Sequence, residues 1–250
     1  MITRTRLRVR SHMRRAAAAC LLAAVGAGHA QTASDPLEGW NRGVFSFNEG
    51  LDAAILKPVA TAYTQVVPEL VRIGVHNFFG NFRDGWSAIN QLLQAKPVAA
   101  AQMGMRVATN TLFGVAGIFD PASDLGLERR SEDFGQTLGR WGLPAGPYLV
   151  WPLLGPSTLR DSLGLPLDVA WSTGMVINDG TILGLFTVLE IVDIRANLLS
   201  AGRIIDDIAL DKYSFIRDAH FSRRRSLVYD GDPPDMPEPD DEVPVAPGKP

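Results

Sequence analysis

The sequence predicts an all-α fold. Apolar residues recur at three- and four-residue steps, period-two alternation is scarce, and glycine and proline punctuate the periodic runs. With 46% apolar residues in 250 and a mean hydropathy near zero, the composition is that of a folded protein of one or two domains.

The two ends differ from the body. Residues 1–15 carry six of the 24 Lys and Arg and no acid, whereas residues 231–250 carry six of the 27 Asp and Glu and seven of the 17 prolines. Residues 31–230 keep 17 basic and 21 acidic side chains, a net charge of −4, which argues against a nucleic-acid binder with a strongly basic face. The single cysteine, Cys20, lies in the N-terminal segment, so the body has neither a disulfide nor a thiol nucleophile. His76 and His220 are the only histidines after residue 30, too few for a His/Cys zinc cluster. No metal and no cofactor is expected.

Arg4, Arg6, Arg8, Arg10, Arg14 and Arg15 precede an uncharged run from Ala16 to Gly28 and the small-residue context Gly28-His29-Ala30. This reads as a secretory signal peptide over residues 1–30, cleaved after Ala30. Met13 is an alternative start. Ala17-Ala18-Ala19-Cys20 loosely resembles a lipobox, which makes lipidation of Cys20 the alternative to cleavage after Ala30. Intact mass spectrometry of envelope material is expected to show Gln31 as the first residue, and a diacylated Cys20 would overturn this. Beyond the signal, no uncharged apolar run reaches the roughly 18 residues of a spanning helix. Ile182 to Leu189 comes nearest and is closed by Glu190.

Asp35-Pro36-Leu37-Glu38 is a helix start, with Asp35 as cap and Pro36 at the first position. Leu37, Trp40, Val44, Phe47, Leu51 and Ile55 then form one apolar stripe, which Lys57-Pro58 should end. Asn41 and Asn48 border that stripe, either bonding to neighbouring helices or lining a wet path. A second helix is expected over about Asn81 to Ala95, with Trp86, Ile89, Leu92 and Leu93 inward. A third starts near Val98 and runs into the uncharged stretch Thr111 to Phe119, whose Leu112, Phe113, Ile118 and Phe119 suit buried core or membrane contact equally. Residues 142–166 hold four glycines and five prolines, so no long helix is expected there. Tyr148, Trp151, Leu153 and Leu154 in that loop suit a bilayer interface or a fold back onto the core. Ser157 should cap a short helix that Gly164 and Pro166 terminate. From Thr181 a stripe of Ile182, Leu185, Phe186, Leu189, Val192, Ala196 and Leu199 predicts a helix, with another after Gly202. Arg223-Arg224-Arg225 would hold anionic head groups or form a solvated helix end. Residues 231–250, Pro-rich and acidic, read as a disordered tail.

Motifs for catalysis are missing: there is no G-x-S-x-G, H-E-x-x-H, G-x-x-x-x-G-K-[ST] or G-x-G-x-x-G. Asp206, Asp207, Asp211 and Asp218 read as a solvated face. The chain is not expected to be an enzyme.

Several long segments together resemble the MlaA family, also called VacJ. They are Asp35-Pro36-Leu37-Glu38-Gly39-Trp40-Asn41-Arg42, Phe45-Ser46-Phe47-Asn48, Asn77-Phe78-Phe79-Gly80-Asn81, and Asn110-Thr111 with Gly114 to Gly117. Glu132 to Gly139, Gly146 to Pro152, Gly155 to Asp161 and Tyr213 to Ala219 continue the match, which spans about residues 35–225. The resemblance implies a helical, ring-like protein in the inner leaflet of the outer membrane, on its periplasmic face, within residues 31–230. It implies phospholipid removal from the outer leaflet through an amphipathic channel, passage to a periplasmic lipid-carrier protein, and association with a trimeric porin. On that view Asn41, Val44, Phe45, Phe47 and Asn48 are lipid-path candidates. A structural porin partner without a lipid path, and a lipid hydrolase, are the alternatives.

Overall fold

The computed structural model describes residues 35–171 and 179–235. The signal segment with Cys20 and most of the acidic tail lie outside these residues. The first helix, α1 (Glu38–Leu51), opens where the Asp35 carboxylate accepts the Leu37 N–H at 3.0 Å. It does not end at Lys57-Pro58. A π-helical stretch (Asp52–Leu56) follows, in which the Lys57 N–H bonds back five residues to Asp52 O, and α2 (Lys57–Val66) carries on. The wide turn supplies the room a proline ring needs inside a continuing helix. The true stop is Val67, held extended at φ −89°, ψ 124° by the following Pro68.

α3 (Glu69–Leu93) is 25 residues long and starts well before the expected Asn81. Gly74 and Gly80 sit inside it as points of close approach. A Cβ at Gly74 would lie 2.9 Å from the Ile118 side chain, and one at Gly80 would lie 3.0 Å from the Arg129 guanidinium. α4 (Pro97–Leu112) returns along α3 and leads through a tight turn to α5 (Pro121–Asp124). α6 (Phe134–Arg140) precedes an antiparallel hairpin of β1 (Tyr148–Trp151) and β2 (Gly155–Thr158), paired Tyr148 to Thr158 and Trp151 to Gly155. α7 (Leu159–Ala170) is capped by Thr158, not Ser157, and runs through Gly164 and Pro166. Gly164 is where α6 crosses α7: a Cβ there would lie 2.8 Å from Gly135 N. α8 (Gly180–Asn197), α9 (Leu199–Ile208) and α10 (Lys212–Val228) complete the chain, and the break falls at Leu198 rather than at Gly202.

Packing closes a circuit. α3 meets α6, α6 meets α10, α10 meets the hairpin, the hairpin meets α1, α2 meets α8, and α8 returns to α3. Among the described residues, no helix is long and apolar enough to cross a membrane.

The burial is inverted relative to a water-soluble bundle. Among the described residues, fifteen polar or charged ones are buried against eleven apolar ones, while Trp40, Phe47, Leu92, Phe113 and Leu185 are each at least 57% exposed. On α3 the inward positions are Phe79, Gly80, Asn81, Asp84, Ser87, Asn90 and Gln91, and the expected inward Leu92 and Leu93 point outward. On α1 the inward set is Asn41, Val44, Phe45 and Asn48, one helical face, while Leu37, Trp40, Phe47 and Ile55 of the apolar stripe are exposed and Leu51 is half-buried.

Candidate functional site

Exposed apolar side chains occur on most of the helices, and two turns carry several each. The turn after α4 places Leu112, Phe113, Ile118 and Phe119 outward, with Phe113 77% exposed. Its backbone turns through left-handed Val115, Ala116 and Gly117, and Gly117 is required twice over: φ is +90°, and a Cβ would lie 2.8 Å from Asn81. The hairpin turn presents Leu153 and Leu154, 70% and 61% exposed, with Trp151 half out. Tyr148 is the correction here. The pleat turns Tyr148 and Val150 inward and Trp151 outward, so the Tyr148 ring is 2% exposed and packs edge-on to Tyr213 instead of reaching an interface.

The two α1 amides do one job. Asn41 donates to Tyr148 O at 3.0 Å and accepts from Val150 N at 2.8 Å, and Asn48 donates to Trp151 O at 3.0 Å and accepts from Leu153 N at 2.9 Å. Seven helical residues rise about 10.5 Å, and three strand residues cover about 10 Å, so the spacing matches helix to strand. Each amide replaces a neighbouring strand for two backbone groups. Asn41 is fully buried with its amide occupied, and Val44 and Phe45 pack in the cluster with Tyr148, Val150 and Tyr213. Asn41, Val44 and Phe45 therefore pack into the core, with the Asn41 amide already occupied, while Phe47 points outward.

Most of the buried polar side chains bond to one another or to the backbone, with Gln91 Oε1 among the few buried atoms that lack a partner. Arg106, with no exposed surface, donates through Nε to Asp84 at 3.3 Å, through Nη2 to both Asp120 oxygens at 2.9 and 3.0 Å, and through Nη1 to Ser123 and the Leu127 carbonyl. Burial alone would raise the Asp120 carboxyl, but hydrogen bonds from Ser123, Asn110 and Arg106 outweigh it and pull it down to about 2. Thr137 donates to Asn90 at 2.8 Å, and Gln94 donates to Thr137 and to Glu132. Burial pushes the Glu132 carboxyl up against the pull of Gln94 and Lys96.

The arginine triplet divides. Arg224 is spent on Asp133 and Asp161 inside the fold, 2.8 Å from the latter, and Arg225 donates to the Pro234 carbonyl. Only Arg223 is exposed, so the three do not form a head-group cluster. Asp206, Asp211 and Asp218 are paired with Lys212, Arg42 and Arg217 at 2.7 to 2.9 Å. His76 bonds to Asp193 at 3.0 Å, and neither histidine contacts a hydroxyl or thiol nucleophile among the described residues. No cluster of potential metal ligands occurs among them either.

The sequence profile of the family described as MlaA lipoprotein matches residues 33–227. The chain belongs to the MlaA lipoprotein family. It is 34% identical over 206 residues to the intermembrane phospholipid transport system lipoprotein MlaA of Escherichia coli, covering 81% of each chain. The protein of the same name from Haemophilus influenzae is 31% identical over 211 residues, covering 79% of this chain and 80% of that one. A solved structure described as the basis for maintenance of bacterial outer membrane lipid asymmetry superposes with a TM-score of 0.70 at 34% identity, over 78% of this chain and 100% of that one.

The segments that resemble MlaA meet in space as clasps. Asp35 accepts from Asn41 and from the Tyr213 hydroxyl, and Arg42 forks onto Asp211 while lying 4.4 Å over the Tyr213 ring, so the first and last motifs lock together. The middle motifs do likewise: Asn81 reaches Thr111 at 3.0 Å, and Asn110 holds Asp120 and the Ala122 N–H. Just after the last of these segments, His220 is pushed down to about 4, first by burial and then by Arg224. A histidine with a lowered folded value stabilises fully above its ordinary 6.5, and that contribution fades as pH falls from 6.5 towards 4. His220→Gln is expected to flatten the stability profile over that window, measured by thermal melting in detergent. An unchanged slope would show that other groups carry it.

Proposed function

We propose that this chain carries phospholipid between the membranes of the envelope, taking mislocalised lipid from the outer leaflet of the outer membrane. The observation that carries the reading is the inverted burial: exposed large apolar side chains around an interior rich in hydrogen-bonded polar groups, without a spanning helix among the described residues. Such a surface is costly in water and stable in hydrocarbon, where every polar group must find an internal partner. The two named relatives, called phospholipid transport lipoproteins, support the same reading. The protein sits in the inner leaflet on the periplasmic side, beside a trimeric porin, and hands lipid to a periplasmic carrier. A passive path creates no gradient, so direction comes from that downstream carrier. The relatives' description as lipoproteins gives Cys20 more support as an anchor than its sequence context does, and the intact-mass measurement decides it.

Reconstitution with labelled phospholipid tests the proposal. Transfer of intact lipid supports it, absence of both transfer and cleavage returns the protein to a structural porin partner, and released fatty acid makes it a hydrolase. The hairpin tip gives a separate expectation. Leu153 holds a left-handed φ of +67°, which Asp tolerates better than Leu, and Leu154 is exposed. Replacing both with Asp should reduce vesicle flotation while leaving the melting temperature within about 2 °C, since no packing is lost. Unchanged flotation of the folded double variant would remove the tip from the membrane contact.

A further inference from the structure

A cavity of about 550 Å³ opens between the α3–α4 turn, the end of α6 and the end of α10. Its lining has two chemistries. The acceptors are the Glu132 and Asp230 carboxylates, which share the Lys96 ammonium, 3.3 and 2.6 Å away. Gln91 lines the same space and is 1% exposed; its Nε2 donates to the Arg130 carbonyl, while its Oε1 has no partner. A buried amide oxygen left without a donor is costly and marks a place for one. The lining also holds two guanidinium groups. Arg130 is tied only to Glu128, in a pair exposed on both sides, and Arg140 has no ion-pair partner among the described residues. Val98 lines the cavity at 72% exposure, and Leu92, Leu93 and Trp141 continue an exposed apolar shelf beside it.

We propose that this cavity binds the head group of a primary-amine phospholipid, with the phosphate between Arg130 and Arg140 and the ammonium donating to Gln91 Oε1, Asp230 and Glu132. The inference rests on the lipid-transport reading and gives it a head-group preference. Paired guanidinium forks suit a phosphate diester. An –NH3+ group offers three donors to the three acceptors, whereas a quaternary ammonium offers none and leaves Gln91 unpaired. The acyl chains lie along the Val98 and Leu92 shelf.

The test uses the full chain in detergent micelles, titrated with dihexanoyl phosphatidylethanolamine, phosphatidylcholine and phosphatidylglycerol, and with water-soluble phosphoethanolamine. Phosphatidylethanolamine should bind about ten-fold tighter than phosphatidylcholine. Asp230→Asn should abolish that preference and leave the other two lipids unchanged, while Arg140→Gln should weaken all three by a similar factor. Both side chains are at the rim, so unaltered melting is expected and is checked alongside. Equal affinity for the three lipids, or no effect of either variant, overturns the proposal. Phosphoethanolamine binding as tightly as the lipid also overturns it, because the ligand would then be a soluble phosphate ester. The two readings fail separately. Intact-lipid transfer with no head-group preference removes this site and leaves transport standing; the two-variant signature without any transfer keeps the site and removes transport.

Discussion

Asn41→Leu is expected to destabilise the protein by about 2–5 kcal/mol, because it strands two buried backbone groups at about 1–3 kcal/mol each. The groups are the Tyr148 carbonyl and the Val150 N–H, both inside the cluster that joins the first helix to the hairpin. Leu fits a helix at least as well as Asn, so the loss comes from the hairpin side and not from helix propensity. For a chain of this size the melting temperature should fall by roughly 5–15 °C. Asn48→Leu should cost far less, since Trp151 O and Leu153 N lie at the exposed turn where water replaces the amide. The pair of variants therefore separates two roles. Lost stability with Asn41→Leu and little change with Asn48→Leu supports the clamp. A stable Asn41→Leu protein that no longer moves lipid would put the amide back on a lipid path.

The helices were legible because a 3.6-residue period survives any environment, yet the period says nothing about which face turns inward. Leu92 and Leu93 carry the apolar stripe of α3, and Asp84, Ser87, Asn90 and Gln91 carry the buried one. The choice between them depends on the medium outside, which the pattern of one helix does not record. The same ambiguity hid Arg106, a lone charge on α4 whose partners come from Asp84 and Asp120 far along the chain. The breakers misled for a different reason. Pro58 follows a π turn and Gly164 marks a helix crossing, so each is a packing device where punctuation was expected. The hairpin was masked by Pro152, Gly155 and Pro156, and because Tyr148 to Trp151 are all apolar, the alternation appears only in their burial and not in the sequence. The asparagines at 41 and 48 held a readable clue: amides two helical turns apart match three residues of a strand.

Arg106→Met should be the most damaging single change, at about 3–5 kcal/mol, because removing one partner of a buried ion pair leaves the other charged and dry. The substitution keeps an unbranched chain of similar length, so the void is small and the effect is electrostatic. Asp84, with 1% of its side chain exposed, would retain only Arg129 at 3.0 Å, and Asp120 would lose a bidentate partner. The acid limb should move as well. A depressed carboxyl stabilises fully above its ordinary 3.8, and that contribution is lost as pH falls towards the folded value of about 2. Without Arg106 the Asp120 carboxyl rises towards its ordinary range, so the variant has none of this contribution to lose, and the stability gap between parent and variant should narrow as pH falls from 3.8 towards 2. Arg106→Lys keeps the charge but one ammonium cannot span Asp84, Asp120 and Ser123, so it should fall between the two. Adding Asp84→Asn to Arg106→Met removes the stranded charge and should recover part of the loss, which a role in packing alone would not allow. Melting curves at neutral and acid pH read all four proteins. If Arg106 instead meets a lipid phosphate, Arg106→Met would keep its melting temperature and lose transfer, and the buried-pair account would fall.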